Sequence, residues 1–214
     1  MQNKEKFAEG ISFKKVFWIF IIGCIFGCIM EMLLHFFKYG EWVSRQGLIY
    51  GPLNPVYGLG AAAFTIFLGK QKNIFIIFII SALLGGSFEY ICSLVQEHVF
   101  GTISWDYSNQ PFNINGRTSL KYMIYWGLLG VLFIKLIYPF LSKWIEKIPI
   151  KTGNIITIIM LIFIIIDCAI SIMAGCRQGQ RQKGNEANTY IEVFLDTHYP
   201  DSRLDKIFES KKSA

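Results

Sequence analysis

Three carboxylates stand where the surrounding sequence makes ionisable groups costly. Glu31, Glu89 and Asp167 each lie inside a mostly apolar run of about 20 residues, long enough for a bilayer core. A charged side chain at such a place costs roughly 2.5–3.5 kcal/mol on insertion scales, so it ordinarily faces a partner or a wet cavity. Arg45 and Arg117, in the loops that follow the first two runs, are the natural counter-charges. Paired with arginine, a carboxylate stays ionised; buried without a partner, it takes up a proton and can carry one. Asn54, Tyr57, Asp106, Asn113 and Asn115 add hydrogen-bonding groups beside them. Together these ten residues form a candidate polar pathway or pocket. The plainer alternative is that the carboxylates are polar ties between helices.

Other chemistry finds less support. His35 lies one turn beyond Glu31 and can bond to it, but a lone helical histidine near an interface is ordinarily structural. Glu97 and His98, with Glu89 and Asp106, lack the tight spacing of a metal site. Four of the five cysteines (Cys24, Cys28, Cys92, Cys168; Cys176 is the fifth) fall in apolar runs, where cysteine packs as a small hydrophobe. No G-x-x-x-x-G-K-[ST] or G-x-S-x-G run occurs, so neither P-loop ATP hydrolysis nor a serine nucleophile on such a turn is expected. No catalytic residue can be named, and no metal or cofactor is expected.

The elements that must position these groups are membrane spans. The 214 residues are 53% hydrophobic and only 17% charged, against about 25% charged in soluble domains. The expectation is an all-α, polytopic transmembrane bundle of about five spans, at 16–37, 56–68, 74–95, 120–141 and 155–174. The first run is too long for a signal-peptide core, so no cleavable leader is expected. The second is short, and the glycines and prolines of 47–55 predict a broken or partly re-entrant entrance, tolerated only where protein or water satisfies the backbone.

The expected organisation is an N-terminal segment 1–15, a transmembrane domain 16–174 and a soluble tail 175–214. A long structured loop, 99–117, interrupts the domain; its interleaved aromatic, Asp, Asn and Arg residues fit a cap over a polar site rather than a flexible linker. A simple tie between two helices is the alternative. In the tail, 190–195 and 204–208 read as two short amphipathic helices, lying on a membrane surface, a partner or the chain's own loops.

Lys4, Lys6, Lys14, Lys15, Lys70, Lys72, Lys143, Lys147 and Lys151 fall on one side of the expected bundle. Lys38, Arg45, Arg117, Lys121, Arg177, Arg181 and Lys183 fall on the other. This bias expects a cytoplasmic N-terminus and an outer 99–117 loop. The formal charge of +6 reflects that topology and not nucleic-acid binding.

A weak duplication is also present. Gly23, Gly27 and Glu31 are spaced by four, as are Ser81, Gly85 and Glu89, so each set occupies one helical face. Each is followed by an arginine-bearing loop and then a span opening with tyrosine and glycines. Two-span units insert in the same orientation, giving a parallel repeat about an axis along the membrane normal. Glu31 and Glu89 are then expected at similar depth, facing a shared cavity, and Arg117 is expected to pair with Glu89.

Four motifs carry a resemblance: GLIYGPLNPVYG (47–58), WDYSNQPFNINGR (105–117), YWGLLG (125–130) and YPDSRLDKIF (199–208). In these the chain resembles the ABC-transporter type IV (CmpB-type) integral membrane proteins of bacteria. The resemblance implies a multi-pass protein of the cell membrane, a permease moving a small solute with a separate ATPase subunit; five spans are few for one transport pathway, so a homodimer or partner subunits are expected. A membrane-embedded enzyme or ligand-binding protein with an extracytoplasmic polar site is the second reading. A structural or regulatory partner acting through the tail is the third.

Overall fold

The computed structural model describes residues 6–209 and 212–213; Lys4 and the rest of 1–5, with 210, 211 and 214, lie outside the described residues. Helix α1 (Phe13–Tyr39) begins at Ser12, whose hydroxyl accepts from Lys15 N, and ends at Gly40 in the left-handed region. Helix α2 (Pro55–Leu68) is capped by Asn54 and has proline in its first turn, where a missing N–H costs nothing. Helix α3 (Ile74–Phe100) runs from the Asn73 cap to a left-handed Gly101. Residues 99 and 100, expected in the loop, are therefore the last turn of α3.

Helix α4 (Leu120–Leu132) continues through a π-helical turn (Phe133–Ile137) into α5 (Tyr138–Glu146). Pro139 explains that turn: it cannot donate to the Lys135 carbonyl, and its ring crowds it. The helix widens, and Tyr138 N–H bonds to Phe133 O instead. Helix α6 (Ile150–Gln182) is followed by the tail helices α7 (Tyr190–His198) and α8 (Asp201–Ile207). Among the described residues, four helices are long and apolar enough to cross a membrane: Phe13–Tyr39, Ile74–Phe100, Leu120–Glu146 and Ile150–Gln182. The expected second span, α2, is 14 residues, about 21 Å at 1.5 Å per residue.

The expected re-entrant entrance is present. Residues 47–54 dip beside the middle of α1, where Asn54 N–H bonds to the Cys24 carbonyl at 3.1 Å. Leu48 and Leu53 pack there with Phe17, Ile21, Cys24 and Ile164. The buried backbone is satisfied by protein: Gly47 N–H bonds to Leu53 O, Ile49 N–H to Ser171 Oγ, and Tyr50 N–H to Asp167 Oδ1.

Helices α1 and α2 form one hairpin, α3 and α4 the other, and their contacts repeat in register. A methyl at Gly27 would strike the Tyr57 ring at 2.2 Å, and one at Gly85 would strike Trp126 at 2.2 Å. One turn away, Gly23 faces Ala61, and Ser81 faces Gly130. The counterpart of Tyr57 is thus Trp126, not Tyr125. In the same register Phe64 matches Phe133, and these two rings meet at 6.2 Å. Equivalent residues touching each other place the axis relating the hairpins between them. Around that contact lies the main core, with Ile19, Leu68, Ile77, Ile134 and Ile145.

Helix α6 lies along α1, tied by Trp18 Nε1–H to Thr157 Oγ at 2.9 Å and by Lys14 to Asn154 at 2.6 Å. At the end holding the N-terminal segment, Lys15 is fully buried against Glu146 (2.6 Å) and Ser142.

Candidate functional site

The loops at the opposite end gather the polar residues expected to act together. Strand β1 (Thr102–Ile103) pairs with β4 (Lys212–Ser213), and β2 (Asn113–Ile114) pairs with β3 (Thr118–Ser119) in a small antiparallel hairpin. The hairpin turn uses Asn115 and Gly116, both with positive φ, a conformation that Asn and Gly tolerate best. Trp105 Nε1–H donates to Arg117 O, and Tyr107 N–H to Gly116 O. Asp106 Oδ1 accepts from the Ser108 amide and hydroxyl, while Asn113 accepts from Gly116 N–H and donates to Ser108 O and Gln110 O. The segment is an ordered cap knit largely by its own side chains.

That cap closes on Glu89. The buried carboxylate accepts from Tyr107 Oη at 2.9 Å and from Thr118 Oγ at 3.0 Å, and the Trp126 indole lies beside it. Burial and the adjacent Glu89 push the Tyr107 hydroxyl above its ordinary value, so it stays protonated and donates. The Tyr107 ring stacks on Tyr122 at 3.9 Å. Asn115 Nδ2–H reaches Tyr90 Oη at 3.0 Å.

The expected Arg117–Glu89 pair is not formed. Arg117 instead forms an ion pair with Glu97 and donates to Ser93 Oγ at 3.2 Å. The reason is the hairpin: it sets Thr118 over Glu89, and Arg117, one residue earlier, reaches farther along the same helical face. Glu89, Ser93 and Glu97 continue the four-residue spacing of Ser81 and Gly85. Extending that stripe past Glu89 is the signal that would have found Arg117's partner.

In the first hairpin the arginine does meet the carboxylate. Arg45 Nη1 lies 3.6 Å from Glu31 Oε1, and Tyr57 Oη donates to Glu31 Oε2 at 2.7 Å. Asn54 caps α2 and donates to Arg45 O at 2.9 Å, fixing the arginine's backbone. His35 bonds to the Glu41 carbonyl (3.1 Å) rather than to Glu31. Tyr107 lies within electrostatic reach of Glu31 as well as Glu89.

Asp167 does different work. Its Oδ1 accepts from Tyr50 N–H and from Ser171 Oγ, both at 3.2 Å, anchoring the re-entrant backbone to α6. The tail closes over the same end. Tyr50 Oη and Tyr199 Oη bond at 2.8 Å, Ser44 Oγ donates to Ile207 O, and Ser44 N–H donates to Glu209. Arg177 grips Asp196 through two hydrogen bonds of 2.9 and 2.8 Å; Arg181 pairs with Asp196 and Asp201. Of the alternatives for the two tail helices, the one formed is docking on the chain's own loops and α6: Leu195, Tyr199, Leu204 and Phe208 bury against Ile49 and Ala174. Sequence reasoning passed over this clamp, although Arg177 and Arg181 are four apart just beyond an apolar run.

Comparison with known proteins agrees with this architecture. No curated protein and no solved structure matches the chain. A profile of the family described as "Putative ABC-transporter type IV" (ABC_trans_CmpB) matches residues 18–172, which takes in both hairpins, the re-entrant loop, the cap and most of α6 but not the tail. The chain is a membrane protein of that ABC-transporter-related family.

Proposed function

We propose that this protein is the permease-type subunit of a transporter in the cell membrane, moving a small solute between its two hairpins with a separate ATPase subunit. One observation carries the reading: the repeated carboxylates Glu31 and Glu89 are each held by a tyrosine hydroxyl and met by the loop of their own hairpin. Such an arrangement suits a polar passage closed on one side, with the 40–54 and 101–119 loops as its outer gate. Asp167 keeps the first loop seated. Five helices are few for one passage, so a homodimer completes it.

The opposite end suits an ATPase. A groove there is lined by Lys6, Phe140, Lys143, Trp144, Glu146 and Lys147, placing two aromatic side chains of the kind enriched at protein interfaces among basic residues complementary to an acidic partner surface. The positive charge at this end also agrees with a cytoplasmic orientation.

The test is recovery of the tagged full chain from cross-linked native membranes. The expected result is a co-purifying subunit with a P-loop, lost in a Lys143→Glu/Lys147→Glu variant that still inserts. Recovery without any nucleotide-hydrolysing subunit would overturn the coupling to ATP.

A further inference from the structure

At the outer end of α4, the tip of the cap overhangs the helix and leaves a groove between them, lined by Pro111, Phe112, Leu120, Lys121, Ile124 and Tyr125, with Gln110 at its rim. Two features make this groove a built one. Leu120 N–H bonds to Phe112 O at 3.2 Å, pinning the tip to the first turn of α4. Phe112 itself has φ +54°, a conformation that a bulky side chain adopts only when its surroundings impose it. The strain holds an exposed aromatic ring out as one wall.

The groove is amphipathic along its length. Among the described residues, Lys121 is the one charged side chain lining it, and no carboxylate does. Starting beside Lys121, the exposed residues Leu120, Ile124, Leu128 and Leu132 recur every four positions down α4. They form an apolar track that winds gradually round the helix and rises about 18 Å at 1.5 Å per residue, close to the roughly 15 Å of hydrocarbon in one leaflet. A cation above an apolar track of one-leaflet length is complementary to an anionic headgroup on an acyl chain.

We infer that this groove is a binding site for one anionic phospholipid. Its phosphate lies at Lys121, and one acyl chain runs down the α4 track behind Phe112. The bound lipid fills the space beneath the cap and steadies the loop that covers Glu89. The inference concerns a surface outside the polar passage and does not depend on the transport reading.

Native mass spectrometry of the full chain in mild detergent tests it, with phosphatidylglycerol or phosphatidylcholine added in turn. The wild type is expected to retain one phosphatidylglycerol in preference to phosphatidylcholine. Lys121→Gln should weaken phosphatidylglycerol retention about fivefold, the ratio one interfacial lysine supplies, and abolish the preference. Phe112→Ala should loosen both lipids while leaving the preference, and Lys183→Gln, a lysine at the same end outside the groove, should change neither. An unchanged preference in Lys121→Gln would overturn the site. So would displacement of the lipid by inorganic phosphate alone, or a disulfide-linked dimer of Ile124→Cys, which would make a second copy of the chain the occupant.

Discussion

At Glu89, two neutral donors do the work that the sequence assigns to an arginine. Leaving a buried polar group without its hydrogen-bond partner costs about 1–3 kcal/mol, so Tyr107→Phe and Thr118→Val should each lower stability by roughly that much. Thermal unfolding in detergent measures this, and an unchanged melt for both would remove the two bonds from the account. Arg117 belongs to a different pair. A double-mutant cycle of Arg117→Ala with Glu97→Ala should show a coupling of about 1 kcal/mol, typical of a partly exposed ion pair. If the two losses simply add, the Arg117–Glu97 contact contributes nothing. Glu31 and Arg45 are brought together directly by their loop. Glu89 and Arg117 are not, because the β2–β3 hairpin shifts the arginine's reach, and a turn of that kind leaves no periodic trace.

At the scale of elements, the glycines set how closely each hairpin packs. Gly27→Ala and Gly85→Ala would each drive a methyl into a ring held at 2.2 Å, and overpacking of this kind costs about 1–3 kcal/mol or more. Gly60→Ala meets Trp126 only at 3.7 Å, so it should be neutral or slightly stabilising, as replacing a mid-helix glycine allows. Equal losses at all three positions, read by thermal melts, would show that helix propensity and not the hairpin contact matters. This register was legible beforehand because four-residue spacing of small residues has one geometric meaning on a helix. The re-entrant loop was legible from its prolines and glycines. Its attachment to Asp167 and Ser171 was not, because those donors and acceptors lie more than a hundred residues apart in sequence.

The whole molecule is drawn together at the end that carries the cap by the tail, and that docking should have two pH limits. Hydrogen bonds from Arg177 hold the Asp196 carboxyl at about 2, below its ordinary 3.8. The stabilisation is therefore complete above about pH 4 and lost as pH falls toward 2. Burial and the bond to Tyr50 push Tyr199 up to about 12 from 10.0, so its contribution is complete below pH 10 and lost as pH rises through 12. Spin-label mobility at Thr197→Cys should rise at both limits; a flat profile would mean that packing alone holds the tail. Orientation is a separate question, and exposed Asn109 suits it better than Ser108, whose hydroxyl is bonded to Asp106. Asn109→Cys is expected to react with an impermeant thiol reagent in intact cells. Labelling only after permeabilisation would reverse the topology.

The π-helical turn at Phe133–Ile137 has a consequence for that architecture. One residue beyond the α-helical number is accommodated there, so everything after it is rotated by about 100° relative to a straight continuation. With that phase, Ile145 enters the core and Glu146 meets Lys15. Deleting a single residue within 133–137 would let the helix run straight and swing Glu146 away, stranding a fully buried lysine charge at the far end of the bundle. The turn thus behaves as an inserted residue on which the alignment of one half of the duplication with α1 depends, and the equivalent stretch of α2 carries no counterpart.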